Sequence, residues 1–591
     1  MRSTKRTLAL ALAGLLLAAC GHKDKDAPLA FAPADTPYVV ANLDVLDDET
    51  RAALSAQADA QMPAEVTQLR AAADELVAKD PDTANLLRAF AKELDGKTVE
   101  SFAQGAGLDL KGYSALYGLG LAPVLRVQLG DADAFEAFVG RLEAAYGKKF
   151  DVASVDKQSY RRHASVATGT QVILAVVGKQ AVAAILPADA SQPLLRQALG
   201  LDRPAKSLQD DGRLAKLAKE KGYAKWAVGE LDLTRALPLA ASGKDPLFNA
   251  MFKARAQAES AKTGEPVANQ LDIPPGCQAD AARIASRVPE LSFGYTRLEA
   301  KHQDMRWDVS LASDITQAFS GLKVDLPGLG AAQSTSPFEF FLGLPVAQMR
   351  EFWGAQADAV AAKPFTCPAL TDLNDTFAKL GQNMQKAAIP PFGDLLGLGL
   401  SLDSFTSGQA NAMPQLTGRL VLGTGNPAGL LAMGQMMTPA LAQLKLTADG
   451  KPVALPPNLA NMFGQPAWLA MGPRSLGLGM GAGEDGKLAE ALKAPVGNAG
   501  QMLRMHLSGQ MYLDWVNLMQ QKADSLTSAA AALSKDEPAG TEDQADKAAT
   551  EARTKAQFEA MRAQAARIET VDAEAHVDAN GLVVSSQTTL K

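Results

Sequence analysis

The sequence predicts an α+β protein of two similar modules, each a mostly antiparallel sheet with helices packed on one face. Three observations carry that expectation. The chain has 591 residues, beyond the roughly 250–300 at which a single core stops growing. Several short apolar runs are joined by tight turns, which suit antiparallel neighbours. The order of strand-like and helix-like segments in the first half returns in the second.

The repeat is visible at "LSAQADAQ" (Leu54–Gln61) and "WGAQADAV" (Trp353–Val360). Both follow a turn with Pro, a short apolar run (Tyr38–Val45; Phe338–Leu344) and the start of an amphipathic helix. Further on, "GLDLKGY" at Gly107 meets "GLSLDSF" at Gly399, and "RVQLGDADAFEAFV" at Arg126 meets "RLVLGTGNPAGLLAM" at Arg419. Each of the latter pair reads as strand, Gly, helix-start cluster and apolar helix. "VILAVVGKQAVAAILP" from Val172 and "AWLAMGPRSLGLGMG" from Ala467 are two strands around a Gly-containing turn. "KWAVGELDLTRAL" (Lys225–Leu237) parallels "MLRMHLSGQMYLDWV" (Met502–Val516). Each half ends in a hairpin expected to complete its own sheet. In the second, Asn580-Gly581 is a strong type I′ turn signal.

These landmarks place module one at 33–315 and module two at 336–591. A Gly-, Pro- and Ser-rich linker over 316–335 separates them, and a mobile acidic insert interrupts module two at about 530–550. Net charge is −7 and the basic residues form no long block. Nucleic-acid binding, which needs a basic surface against phosphate, is therefore not expected.

The N-terminus reads "MRSTKRTLALALAGLLLAACGHKDKD". Arg2, Lys5 and Arg6 precede an apolar run, Leu8–Leu17, too short to span a bilayer of roughly 30 Å. Leu17-Ala18-Ala19-Cys20 resembles the lipobox of bacterial lipoproteins. That resemblance implies a signal peptide over 1–19, cleavage before Cys20 and acylation of Cys20, with residues 20–32 as tether. Three acyl chains anchor a protein far more firmly than one. Gly21, where such lipoproteins often carry Asp for inner-membrane retention, implies the outer membrane, facing the periplasm.

Chemistry is sparse. The five histidines, His22, His163, His302, His506 and His576, lie in no metal-binding spacing, so no metal or cofactor is expected. Ser154-Val-Asp-Lys157 and Lys262-Thr-Gly264 imitate penicillin-binding motifs, but the first falls in a polar hairpin and the second at a helix end. Gly423, Gly425 and Gly429 follow a strand, but at a spacing one residue too long for a dinucleotide fingerprint; a helix cap explains them better. No catalytic residues are expected.

Twelve of the 18 methionines lie between Met384 and Met519. Met adapts to irregular apolar shapes, either in a core or at a receptive surface. Met433, Met436, Met437, Met471, Met480 and Met505 are the candidate lining of an apolar groove, with glycines in "LLGLGLSL" and "LGLGMGAG" where backbone could approach a ligand. With Cys20 acylated, Cys277 and Cys367 are the remaining thiols, and export to an oxidising compartment predicts their disulfide.

At "FAPADTPYVVANLD" and "PVLRVQLGDADAF" the chain resembles uncharacterised bacterial envelope lipoproteins that open with P-A-D-T-P and carry duplicated α/β modules. The resemblance implies an envelope location and supplies no activity. The function expected first is a non-catalytic lipoprotein that binds or scaffolds a protein partner. The alternative is a carrier or sensor of a lipid or other apolar ligand, and the third a hydrolase with a dispersed site.

Overall fold

The computed structural model describes residues 25–78, 80–264, 273–387, 389–406, 415–533 and 544–591. The signal peptide, Cys20 and residues 534–543 of the acidic insert lie outside them. The described chain is α+β, and its nineteen strands belong to one antiparallel sheet. The expectation of two separate sheets is thereby corrected. The chain divides into Met1–Arg306 with Ala539–Gln564, and Trp307–Pro538 with Ala565–Lys591. That division falls inside the last hairpin strand of the first half. A hairpin edge leaves N–H and C=O groups that a further strand can satisfy.

The first unit contains β1 (Tyr38–Ala41), β2 (Ser114–Leu119), β3 (Ala122–Gln128), β4 (Asp151–Val155), β5 (Gln158–Ser165), β6 (Thr170–Val177), β7 (Gln180–Pro187), β8 (Val228–Asp232) and β9 (Glu290–Leu298), before the divided β10 (His302–Ser310). Pairing gives the order β4-β5-β6-β7-β3-β2-β1-β8-β9.

Helices cover both faces of this sheet, not one. Val39, Tyr117, Val124 and Val182 pack with Leu195, Leu199, Leu208 and Leu214. On the other face Leu174, Val176 and Ala181 meet a helical layer cored by Leu69, Phe102, Phe135 and Phe138. The reason is legible in the strands: Val39-Val40 and Val124-Leu125 put apolar side chains on both sides, so both need covering.

The P-A-D-T-P opening pins β1. The Thr36 hydroxyl donates to the Gly118 carbonyl at 2.8 Å and accepts from the Gly118 N–H at 3.0 Å. The expected tether is packed from residue 27 onward. Phe31 is buried, its ring lying between the Arg126 and Arg203 guanidiniums at 3.8 and 3.7 Å.

The second unit contains β11 (Phe338–Gly343), β12 (Leu395–Thr406), β13 (Gln415–Thr424), β14 (Val453–Ala454), β15 (Ala467–Gly472), β16 (Ser475–Met480), β17 (Gln501–Ser508), β18 (Ile568–Val577) and β19 (Gly581–Leu590). Their order is β14-β15-β16-β13-β12-β11-β17-β18-β19. The segment expected as a linker is core here: Val324, Leu326 and Leu329 pack against Phe341, Val421 and Leu488. Its Gly and Pro residues shape a close-packed turn and do not mark free chain.

Candidate functional site

The strands of the second unit alternate small and large. In β12, Gly397, Gly399 and Ser401 are buried while Leu398, Leu400 and Leu402 are partly exposed. In β16, Ser475, Gly477 and Gly479 are buried while Leu476, Leu478 and Met480 are partly exposed. Period-two alternation puts the two sets on opposite faces.

The glycines face the chain's own core. A Cβ at Gly399 would lie 2.5 Å from the Phe341 ring, and one at Gly477 would lie 2.7 Å from Leu488. The expectation that these glycines open the backbone to a ligand is therefore corrected. They let Phe341 and the helix Glu484–Ala491 sit close to the sheet.

The large residues form an apolar floor on the other face. Phe340 pairs with Leu400, Leu400 with Leu420, Leu420 with Leu478 and Leu478 with Leu469. Beside that row, Leu342, Leu398, Leu422, Leu476 and Met471 pair in the same way. Met505 and Leu503 of β17 extend the two rows. Five strands, β16 to β17, give a width of about 19 Å at roughly 4.8 Å per strand.

On its β15–β16 side the floor is covered: Leu444 and Leu455, both buried, pack with Leu469, Leu478 and Met480. The helices of this unit bury less. The helix Val346–Ala362 buries no side chain, Pro427–Met437 buries only Pro427 and Leu430, and Pro457–Phe463 buries none. Phe340, Leu342, Leu398, Leu400, Leu420, Leu422 and Leu476 accordingly remain partly exposed.

Of the candidate groove residues, Met471, Met480 and Met505 lie on the floor face, with Met471 buried at its edge. Met433, Met436 and Met437 lie on the helix Pro427–Met437, where Met436 and Met437 are both 78% exposed. The leucines and phenylalanines making most of the floor were not singled out from sequence. The signal was present: "LLGLGLSL" and "SLGLGM" alternate Gly with Leu over whole strands.

A polar layer stiffens the sheet from its core side. The Arg419 guanidinium donates to Glu484 at 3.0 Å, Asp403 at 3.3 Å and the Ser336 hydroxyl at 2.5 Å. Arg504 donates to Glu339 and Ser334, both at 2.8 Å. Burial works against the Asp403 carboxylate, but the Lys487 ammonium, further hydrogen bonds and Arg419 hold its pKa down to about 2. Glu484 is pushed up, first by burial and then by Asp403. Every charge here has a stated partner, and Arg419, Glu339 and Arg504 alternate with floor residues along their strands, so they point away from the floor.

The remaining sequence candidates are dispersed. Ser154 lies on β4 and Lys157 in the turn after it, while Lys262 and Thr263 end the helix Pro246–Thr263. Asn426 caps its helix by accepting from the Gly429 N–H at 2.9 Å, so this Gly cluster is a helix start. His163 packs edge-on against Tyr146 and lies 3.2 Å from the Thr83 hydroxyl; His506 meets Asp572 at 2.7 Å.

Cys277 and Cys367 form a disulfide, as expected. Among the described residues no group of three or more His, Cys, Asp or Glu could hold a metal, and no helix is long and apolar enough to cross a membrane.

The first unit has a cleft of about 740 Å³ lined by residues 33–37, Gly118–Gly120 and Asp245. Asp245 is already engaged there, accepting from the Leu121 and Phe248 N–H groups. No family model, curated protein or solved structure matches the chain.

Proposed function

We propose that this is a lipid-anchored, non-catalytic envelope protein that holds an acyl chain of a lipid against the floor of the second unit. One observation carries the reading: a partly exposed floor of Phe, Leu and Met across β16 to β17, about 19 Å wide, which Leu444 and Leu455 cover at its β15–β16 side. One leaflet of a bilayer core is about 15 Å deep, so a single acyl chain fits across it. Each methylene buried there contributes about 0.8 kcal/mol. Acylation at Cys20, implied by the lipobox, would keep the protein beside its source of ligand. The disulfide accords with a site outside the cytoplasm.

A fluorescent fatty acid tests the reading. The chain should bind it, and Leu400→Asp should weaken binding at least tenfold. Equal binding by the variant would refute it. The competing occupant, an amphipathic helix of a protein partner, would give no fatty-acid signal.

We further infer that the two units are copies of one module. In support, β1 lies between β2 and β8 as β11 lies between β12 and β17. Outward from there, β3-β7-β6 answers to β13-β16-β15, and β9 to β18.

A further inference from the structure

The elements that frame the floor end in exposed apolar side chains. Met436 and Met437 are 78% exposed, Met462 71% and Phe463 41%. They belong to one end of the sheet. Leu441, Leu444, Leu455 and Leu459, which neighbour them along the chain, cluster with Ala467 and Met480. Met480 pairs with both Ala467 and Gly418, and Gly418 pairs with Leu402, so this is the end where β11 begins.

The segment joining these elements, residues 425–466, is nearly without charge. Of its 42 residues only Lys445, Asp449 and Lys451 are ionisable as acids or strong bases, against 21% charged over the chain. Asp449 and Lys451 pair with each other at 3.0 Å. What remains in the segment is one lysine and four large exposed apolar groups. A water-facing surface of this size normally carries mixed charges. Exposed apolar side chains in a segment poor in charge, whose neighbouring leucines pack on Leu469, Leu478 and Met480 of the floor, suit the interface of a bilayer, where methionine and phenylalanine enter the acyl region and a lysine stays at the phosphates.

We propose that this rim, Met436, Met437, Met462 and Phe463, rests in the surface of a phospholipid bilayer and is the mouth through which an acyl chain reaches the floor. The proposal rests on the acyl-chain reading of that floor.

The test uses the full acylated chain in phosphatidylethanolamine–phosphatidylglycerol vesicles whose acyl chains are brominated. Met462→Trp adds a fluorophore at the rim, and Val166→Trp adds one at a site in the first unit that is 92% exposed. Relative to the unsubstituted protein, the emission added by Trp at 462 should be quenched at least twofold and that added at 166 should not. No quenching at 462, or equal quenching at both positions, overturns the proposal. Mass spectrometry of lipid retained by the same unsubstituted protein separates the two ideas. Retained lipid without quenching at 462 removes the rim and leaves the floor; quenching at 462 without retained lipid removes the floor as a binding site.

Discussion

Two rows of paired residues, one in each unit, match under the module correspondence inferred above and differ in chemistry. In the first unit the row is Val40, Leu116, Leu125, Ala183, Leu174. In the second it is Phe340, Leu400, Leu420, Leu478, Leu469. The neighbouring row holds Ser114, Val127, Ala181 and Val176 in the first unit, and Leu398, Leu422, Leu476 and Met471 in the second. Beside Ser114, Asn42 takes its N–H at 2.7 Å where the second unit has Leu342.

The helical layers differ to match. Asp48–Leu76 buries Val66, Leu69, Ala72 and Ala73, while Val346–Ala362 leaves its large apolar side chains half-buried, Phe352 among them at 5.1 Å from the Phe319 ring. One sheet face closes on its own helices. The other presents larger apolar side chains that stay partly exposed among the described residues, outside the side that Leu444 and Leu455 cover; under the acyl-chain proposal this is the surface that takes the ligand.

The largest expected effects concern what holds the fold. Cys277→Ala removes a bond closing a loop of about 90 residues, which chain entropy values at roughly 4–5 kcal/mol. Thermal unfolding without reductant should shift down markedly, and an unchanged midpoint would speak against the bond. Arg419→Ala leaves Glu484 and Asp403 with only the half-exposed Lys487 as a cation and should cost about 3–5 kcal/mol in urea titration. Arg126→Ala, whose partners are Tyr117, Gln180 and a carbonyl, removes no ion pair and should cost less, about 2–3 kcal/mol. A reversal of that order would break the comparison of the two buried arginines.

A transplant sharpens the comparison further. Leu342→Asn with Leu398→Ser copies the Asn42–Ser114 pair onto the second floor. Fatty-acid affinity should fall about tenfold, roughly 1.4 kcal/mol, the loss of about two methylene contacts. Unaltered affinity would mean that those positions are not part of the site.

A further effect is with pH. Asp403 has its folded pKa depressed to about 2 against about 3.9 unfolded, so its contribution is present above pH 4 and lost as pH falls toward 2. Glu484, raised by burial, acts in the opposite sense: its contribution is present below the unfolded value and lost as pH rises through the raised one. Asp403→Asn should flatten stability between pH 4 and 2, and a slope there equal to that of the parent would remove Asp403 from the account.

Much of this organisation was legible in the sequence, and what was missed has physical causes. The succession of strands and helices along the chain and the two closing hairpins followed from apolar runs and turn residues, but the first hairpin does not complete a sheet of its own: β10 pairs with β19 as well as with β9. Under the inferred module correspondence the Arg126–Arg419 match is two residues out of register: Arg419 faces Ser401 across the ladder, the place that Val124 would take opposite Tyr117. A two-residue slip keeps a side chain on its face, so the pattern alone could not detect it. Layering on one face was wrong because both faces of Val39-Val40 and Val124-Leu125 are apolar. The 316–335 segment read as a linker because Gly and Pro mark turns, whether packed or free. The methionines drew attention to the right unit, but the floor is mostly leucine, and leucine in a strand signals core far more often than site.

The most direct measurement is of lipid carried by the acylated protein after gentle detergent extraction, read by native mass spectrometry against the Leu400→Asp variant. The account predicts a species heavier by one non-covalent lipid in the parent and its absence in the variant. A parent free of bound lipid, or a variant that retains it equally, would contradict the claim that the floor of the second unit is where this protein holds its ligand.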